Sequence, residues 1–479
     1  MNKKLKSEKG AITLVVLVTM LFLIAFLMTL FLRVANKAQT SAETTEQIKQ
    51  KYNNLEDEET IYQSYFADEE VIPIYTVEQL KKLGSGEQVE IEQENKIYTF
   101  ANDGYYILKN DLNLGGYYDQ TSSEWKGIQW EVLRPDDKDS NTNNFTGTLD
   151  GIGHKITGLY IEDSSATTGK RKGLFARLYG TVKNLWITNS YIYGYSNIGA
   201  IAGINYGVIE NCYNEADVVG EYAYIGGITG VNQGVCNKNY NKGNITGKYV
   251  TEETSTIVGI GGIVGRTLKS IEMCQNAGKI TGKGSGIGGI AGYSDDMLIY
   301  CYNQGEVSTT RRRIGGIVGF ADGDIKYCFN KGNVTAESDQ VGGIAGVLEK
   351  SRNIVACHNA GEIKGNTNGG ISGILGGNIT NSYNNGKIIA SDISGEIVGE
   401  NEGTIEKCYY LDSAISPVGK ENGTTDCLLK TEEQMQSLDG SFISILNFEL
   451  EETAWAEDKD GTINNGYPYL IQLKSFMQK

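Results

Sequence analysis

Histidine, proline and positive charge are what this chain has little of. Its two histidines, His154 and His358, stand far apart, which excludes a zinc protease of the His-Glu-x-x-His type, since that needs two histidines on one helix face. Nucleophile triads likewise lack a histidine base. The sequence therefore names no catalytic residue, no metal ligand set and no cofactor. Four prolines beside 61 glycines exclude collagen and Pro-rich disorder and suit short strands joined by glycine turns. There are 43 Lys and Arg against 59 Asp and Glu, a formal charge of −16. Neutralising a phosphate backbone takes clustered cations, so nucleic acid is not an expected partner.

What the chain does have is a repeat. The phrase Ile198-Gly-Ala-Ile-Ala-Gly203, followed by Gly207-Val-Ile-Glu-Asn-Cys-Tyr-Asn214, returns with its first glycine at Gly226, Gly261, Gly288, Gly315, Gly342 and Gly369. A worn copy opens at Gly395, and an earlier relative at Gly173. Most steps are 27 residues, and one, from Gly226 to Gly261, is 35. A fixed period of roughly 20–50 residues marks a solenoid, in which each unit buries its apolar face only against its neighbours. Three short strand candidates per unit, at Gly199–Gly203, Val208–Tyr213 and about Asp217–Val219, predict an all-β, right-handed parallel β-helix of about nine coils or more.

Each slot of the unit stacks on itself. Cys212, Cys274, Cys301, Cys328, Cys357 and Cys408 share one position, with Asn239 and Ser382 where Cys is absent. This reads as a ladder of buried free thiols and not as a disulfide framework; Cys236 and Cys427 fall outside it. The next slot is aromatic and takes in His358, while His154 reads as a turn residue. Asn214, Asn241, Asn276, Asn303, Asn330, Asn359 and Asn384 form a third ladder, whose amides can bond from coil to coil. Two residues beyond them stand Ala216 and then Gly243, Gly278, Gly305, Gly332, Gly361 and Gly386, where glycine would supply a positive φ. Ile198 and Ile201 are three apart, as are Ile209 and Cys212, and a straight strand cannot turn both members of such a pair inward. A corner or bulge within each side is needed.

Before the repeats, residues 1–10 are basic, and 11–32 run uncharged for 22 residues, long enough to span a bilayer as a helix. The basic leader should stay in the cytoplasm and the rest lie outside. Residues 33–69 read as a helical stalk. Residues 70–172 hold an N-terminal cap and entry coils, 173–412 the repeats, and 413–479 a C-terminal capping region. Thr76-Val-Glu-Gln79 and Thr431-Glu-Glu-Gln434 both have capping-box spacing, predicting two short helices that cap the solenoid ends. The insert Gly115–Asn144 reads as a polar surface loop.

Glu8-Lys-Gly-Ala-Ile-Thr-Leu-Val-Val-Leu-Val18 resembles the N-terminus of type IV prepilins and pilin-like proteins. The resemblance implies cleavage between Gly10 and Ala11 and filament or pseudopilus assembly, although Val15 stands where that pattern has Glu. Ile225-Gly-Gly-Ile-Thr-Gly230, Ile287-Gly-Gly-Ile-Ala-Gly292, Gly403-Thr-Ile-Glu-Lys-Cys-Tyr409 and the flanks Phe145–Ile156 and Ile463–Leu470 resemble the GLUG repeat of bacterial exported proteins. That implies a surface or secreted β-solenoid, as in adhesin-like proteins and accessory regions of some immunoglobulin A proteases.

Function is expected where the repeat breaks: at Thr251–Thr256, at Gly115–Asn144 and at the basic island Arg311, Arg312 and Arg313, a candidate ligand-facing patch. One period separates Arg312 from Asp339, which predicts that they are neighbours on adjacent coils. Asp136–Asp139, Asp295-Asp296 and Asp322-Gly-Asp324 are candidates for a polysaccharide lyase or hydrolase, and none of them recurs beside a fixed Arg or Lys in the neighbouring coils. The expectation is a single-pass, membrane-anchored, extracellular solenoid without enzymatic activity, in a structural or adhesion role, whose partner is a protein or glycan met along its face.

Overall fold

The computed structural model describes residues 70–133, 144–249, 257–411 and 413–477. The 11–32 span, the 33–69 stalk, the Gly10–Ala11 junction, Asp136–Asp139 and the Thr251–Thr256 surplus lie outside the described residues. Within the described residues no helix is long and apolar enough to cross a membrane.

The repeats wind into a parallel β-solenoid of about nine coils. One coil shows the plan. Ser196–Ile198 lies in sheet 1, Ala202–Asn205 in sheet 2, Val208–Glu210 and Tyr213–Asn214 in sheet 3, and Asp217–Gly220 in sheet 4. Each segment pairs in parallel with its counterpart one period on, as in Ile198↔Ile225, Ile204↔Val231, Ile209↔Cys236, Asn214↔Asn241 and Val218↔Ile245. A coil thus has five short segments, not three strands. The expected strand Gly199–Gly203 is really a bend, Gly199–Ile201, between two strands.

This geometry resolves the misfit in alternation. Ile198, Ile201, Ile209, Cys212 and Val218 are all buried. Between Ile209 and Cys212 the chain passes through Asn211 at φ 54°, and the matching corners are Asn184, Lys238, Met273, Tyr300, Tyr327, Ala356, Asn381 and Lys407, all left-handed. A single left-handed residue swings the chain so that residues three apart face the same way, at a cost of about 1–2 kcal/mol for a non-glycine. Burying each inward Ile or Val returns about 1.5–3 kcal/mol, so one corner is outweighed by the side chains it turns inward.

The glycine of the Asn-x-Gly turn has a different reason from the expected one. Gly243, Gly278, Gly305, Gly332, Gly361 and Gly386 do not have positive φ. Their constraint is the coil below: a Cβ on Gly243 would stand 1.9 Å from the Ala216 carbonyl oxygen, and one on Gly305 2.0 Å from that of Gly278. Beside these turns the asparagine amides run in a chain. Each Nδ2 donates to the next Oδ1 at 2.8 Å, from Asn214 through Asn241, Asn276, Asn303, Asn330 and Asn359 to Asn384. Asn384 then donates to the buried carboxylate of Glu396 at 3.0 Å. Glu396 follows Gly395, in the slot that Gly370 holds one coil earlier, and it ends the ladder.

The thiol ladder from Cys212 to Cys408 is buried and every cysteine is free. Cys427 belongs to it after all: Cys408 pairs with Cys427 in the last rung, but the final coil is short and hides the period. Cys236 sits in the neighbouring isoleucine slot, opposite Ile209.

The two capping boxes form as expected, with Thr76 and Thr431 each accepting from the backbone N–H three residues on at 3.3 Å. Their placement differs. Helix Val77–Lys81 sends Leu80 and Leu83 into the main core beside the first rung, Val71–Ile74. The C-terminal segment instead lies along the side of sheet 3. Helix Ser441–Leu446, Trp455 and Tyr467–Leu470 make a second core on the outer aromatic ladder of Tyr302, Phe329, Tyr383 and Tyr409. It is a lateral clasp and not an end cap, and the terminal strand Thr424–Lys430 leaves Leu428 and Leu429 exposed.

Candidate functional site

Aromatic rings collect where the repeat is interrupted. The insert expected as a polar loop is an antiparallel hairpin, Gly116–Asp119 with Glu124–Gly127, followed by a run that buries Trp130 and Leu133. Trp130 N–H donates to the Tyr160 carbonyl at 2.7 Å and Leu133 N–H to that of Leu174 at 2.8 Å, so the hairpin base is fastened to the first coils. Gly127, at φ 108°, closes that base where a Cβ would meet the Gly115 carbonyl oxygen at 2.2 Å.

The hairpin lays Trp125 over the outer surface of sheet 4. Its ring stacks on Tyr191 at 5.9 Å and 14°, with Tyr118 edge-on to Trp125 at 6.0 Å. Tyr160 and Tyr193 flank Tyr191 at 6.5 and 6.4 Å. Around the corner toward sheet 1, Tyr195, Tyr222 and Tyr249 continue the series at 5.5 and 4.7 Å. Tyr117 is 53% exposed and Tyr118 46%. Burial and a hydrogen bond to Glu162 push the Tyr160 hydroxyl up to about 12, and burial also raises Tyr191, so both hydroxyls stay protonated as donors. Charged groups rim the rings in pairs: Asp119 with Lys126 at 2.7 Å, Asp163 with Lys172 at 3.1 Å, and Glu221 with Lys248 at 3.5 Å. The Lys248 ammonium also sits 4.0 Å above the Tyr193 ring.

A second feature lies at the corner between sheets 2 and 3. Asp295, Asp296, Asp322 and Asp324 line a cavity of about 280 Å³ with Ser351, Arg352 and Asn353. Arginines do stand beside these carboxylates on neighbouring coils, contrary to the expectation that none does. Arg266 grips Asp295 through two bonds of 2.8 and 3.0 Å, and Arg352 reaches Asp322 at 2.9 Å. The Arg266 guanidinium also covers the Tyr293 ring at 4.8 Å. Asp296 accepts from Met297 N–H and from the Ser270 hydroxyl, and Asp324 from Asn353. These bonds engage the carboxylates with neighbouring coils. Among the described residues no group of three or more His, Cys, Asp or Glu side chains is placed to hold a metal.

Of the basic island, Arg312 is opposite Asp339 by register, since Ile314 pairs with Val341, and Arg313 N–H donates to the Asp339 carbonyl at 3.4 Å. The Arg313 guanidinium turns onto the Phe320 ring at 5.5 Å, where burial, with the charge of Arg312, lowers its pKa. The island is thus partly absorbed into packing between sheets 1 and 2. His358 is wholly interior, stacked 4.3 Å from Phe329 and 3.9 Å from Tyr383, with Nε2 2.6 Å from Asn385 Oδ1. His154 Nδ1 lies 3.1 Å from Asp111 in a turn.

Sequence reasoning missed the Trp125–Tyr191 stack and the Arg266–Asp295 and Arg352–Asp322 pairs. The partners of the ion pairs are 29 and 30 residues apart, a period plus two or three, so comparison at one period alone passes them over.

One coil can be assigned by comparison. Residues 310–335 match the GLUG motif. That GLUG unit runs from the corner before Ile314–Gly315 to Val334–Ala336, one full turn of the solenoid, and it supports reading the chain as a GLUG-repeat protein. Halomucin of Haloquadratum walsbyi is 30% identical over 105 residues, 22% of this chain and 1% of that protein. A protein of Evansella cellulosilytica described as a Gly-rich membrane protein is 30% identical over 117 residues, 23% of this chain and 12% of the relative. The chain therefore spans only a small part of the length of the curated relatives it matches. A crystal structure described as an immunoglobulin A1 protease from Bacteroides ovatus aligns over 85% of this chain and 93% of its own at 18% identity, with a TM-score of 0.35.

Proposed function

We propose that this protein is a cell-surface β-solenoid, held to the membrane by residues 11–32, that serves a structural and adhesive role and meets a protein or glycan of a host or neighbouring cell along its side. The observation that carries this reading is the aromatic face at Trp125 and Tyr191, built where an insert breaks an otherwise regular scaffold. Exposed aromatic patches mark interaction sites more often than they mark idle surface. The relative described as a Gly-rich membrane protein agrees with such a location. The prepilin-like leader adds processing after Gly10 and pilin-like assembly to the proposal.

Cells displaying the full-length protein should bind host or neighbour cells more than cells lacking it. Equal binding by the two would overturn the adhesive role. A second reading, glycan depolymerisation, rests on the Asp- and Arg-lined corner cavity. Incubating the full chain with a polysaccharide panel and measuring new reducing ends decides between them: turnover that is lost in Asp322→Asn would favour the enzyme.

A further inference from the structure

We propose that the aromatic face formed by the hairpin and sheet 4 is a binding site for a neutral saccharide chain; this rests on the adhesive reading and names its ligand class. A pyranose presents C–H faces that pack on aromatic rings and a rim of hydroxyls that need donors and acceptors. The face supplies both. Tyr118, Trp125, Tyr191 and Tyr193 make a ring cluster around the buried Tyr160, with neighbours 5.9–6.5 Å apart, and tyrosine and tryptophan carry a large apolar area with a polar handle. The Tyr160 hydroxyl bonds to Glu162 and that of Tyr193 to Glu221, which sets hydroxyl and carboxylate groups at the edges of the rings.

Charge selects a neutral ligand. Cations at the rim are met by carboxylates in Asp119–Lys126, Asp163–Lys172 and Glu221–Lys248, and the chain as a whole carries −16. An anionic chain would find its cations occupied and the surrounding field repulsive, and a basic peptide would find the carboxylates occupied. An extended peptide would gain most from a free strand edge, whereas Tyr191–Gly194 is paired on both sides and the outer edge of Tyr160–Asp163 is engaged by the run after the hairpin, where Trp130 N–H donates to the Tyr160 carbonyl at 2.7 Å and Gln129 Oε1 accepts from Glu162 N–H at 3.4 Å. The length of the face also suits a chain. A second series of rings, Tyr195, Tyr222 and Tyr249, runs from coil to coil at the corner after sheet 4, so successive sugars can meet successive rungs.

The test uses full-length protein in a non-glycosidic detergent and follows tryptophan fluorescence during titration with cellohexaose, chitohexaose and mannohexaose, with heparin and a Lys-rich peptide as comparators. Trp130, Trp186 and Trp455 are buried, so Trp125 supplies the responsive signal. A saturable change with at least one neutral hexasaccharide is expected. By calorimetry that affinity should fall tenfold or more in Trp125→Ala and in Tyr118→Ala, with Trp125→Phe within a few-fold of the parent and all melting temperatures unchanged. Should Trp125→Ala melt early, Tyr118→Ala on the exposed hairpin carries the comparison alone. Failure of all three sugars to bind, binding only to heparin or to the peptide, or sugar affinity indifferent to Tyr118 and Trp125 would overturn the proposal. Cell adhesion that persists without competition by these sugars overturns the saccharide site and leaves adhesion standing; absence of adhesion removes both.

Discussion

His358 shows how far a slot in the ladder dictates chemistry. Buried between Phe329 and Tyr383, its imidazole is pushed down to about 3 by desolvation, and the hydrogen bond to Asn385 only partly opposes this. In the unfolded chain the ring would titrate near 6.5, so the unfolded state takes up the proton first. The stabilising contribution of the neutral ring is thus complete above about pH 6.5 and is lost as pH falls toward 3, at about 1.4 kcal/mol per pH unit. Chemical denaturation from pH 7 to 4 should show His358→Phe losing less stability than the parent by roughly that slope; parallel losses would mean that the ring is solvated. At the same scale, Asn303→Ala removes the link between Asn276 and Asn330 and the acceptor for Gly305 N–H. Each orphaned buried group costs about 1–3 kcal/mol, so a loss under 1 kcal/mol in urea melts would contradict the ladder. The asparagine and cysteine ladders were legible because each slot repeats one side chain. The three-residue spacing of Ile209 and Cys212 made the need for a corner legible too, but not its left-handed form, because Asn211, Met273, Tyr300 and Ala356 share a φ without sharing any residue type.

Among elements, the C-terminal clasp is the one whose position the sequence hid. Capping-box spacing revealed the helix at Thr431 but not the surface it covers. The clue lay in the repeats themselves, where Tyr300 and Tyr327 replace the polar corner residues Asn184, Asn211 and Lys238 in the coils that the clasp shields. Bonds from Asn381 Nδ2 to the Leu446 and Phe448 carbonyls, and from Tyr300 to Glu452, fasten it. Ending the chain after Lys430 should leave the solenoid's far-UV circular dichroism largely unchanged and raise binding of a hydrophobic dye, since Tyr302, Phe329, Tyr383 and Tyr409 would be bared. Collapse of the β signal would show instead that the clasp is part of the solenoid's stability. The turn glycines make a sharper element-level test. Gly305→Ala places a Cβ 2.0 Å from the Gly278 carbonyl oxygen, and because both atoms are fixed by backbone the cost should reach or exceed the 1–3 kcal/mol of an overpacked core. A melting temperature equal to the parent's would disprove the close approach.

For the molecule as a whole, periodicity made the architecture readable and left the function to the interruptions. A solenoid's stability is shared among like neighbours, so an insert on one coil is tolerated, as the hairpin on the first coils is. Of the arginine island, conspicuous in sequence, Arg313 packs against Phe320, while the unremarked Trp125 stands over sheet 4. The most direct measurement is adhesion of cells that display the full-length protein as parent, as Tyr118→Ala with Trp125→Ala, and as Asp322→Asn with Arg352→Ala, at matched surface levels. The account predicts that the aromatic pair cuts adhesion at least tenfold and that the corner pair leaves it within twofold. Full adhesion by the aromatic variant, or loss in the corner variant alone, would contradict it.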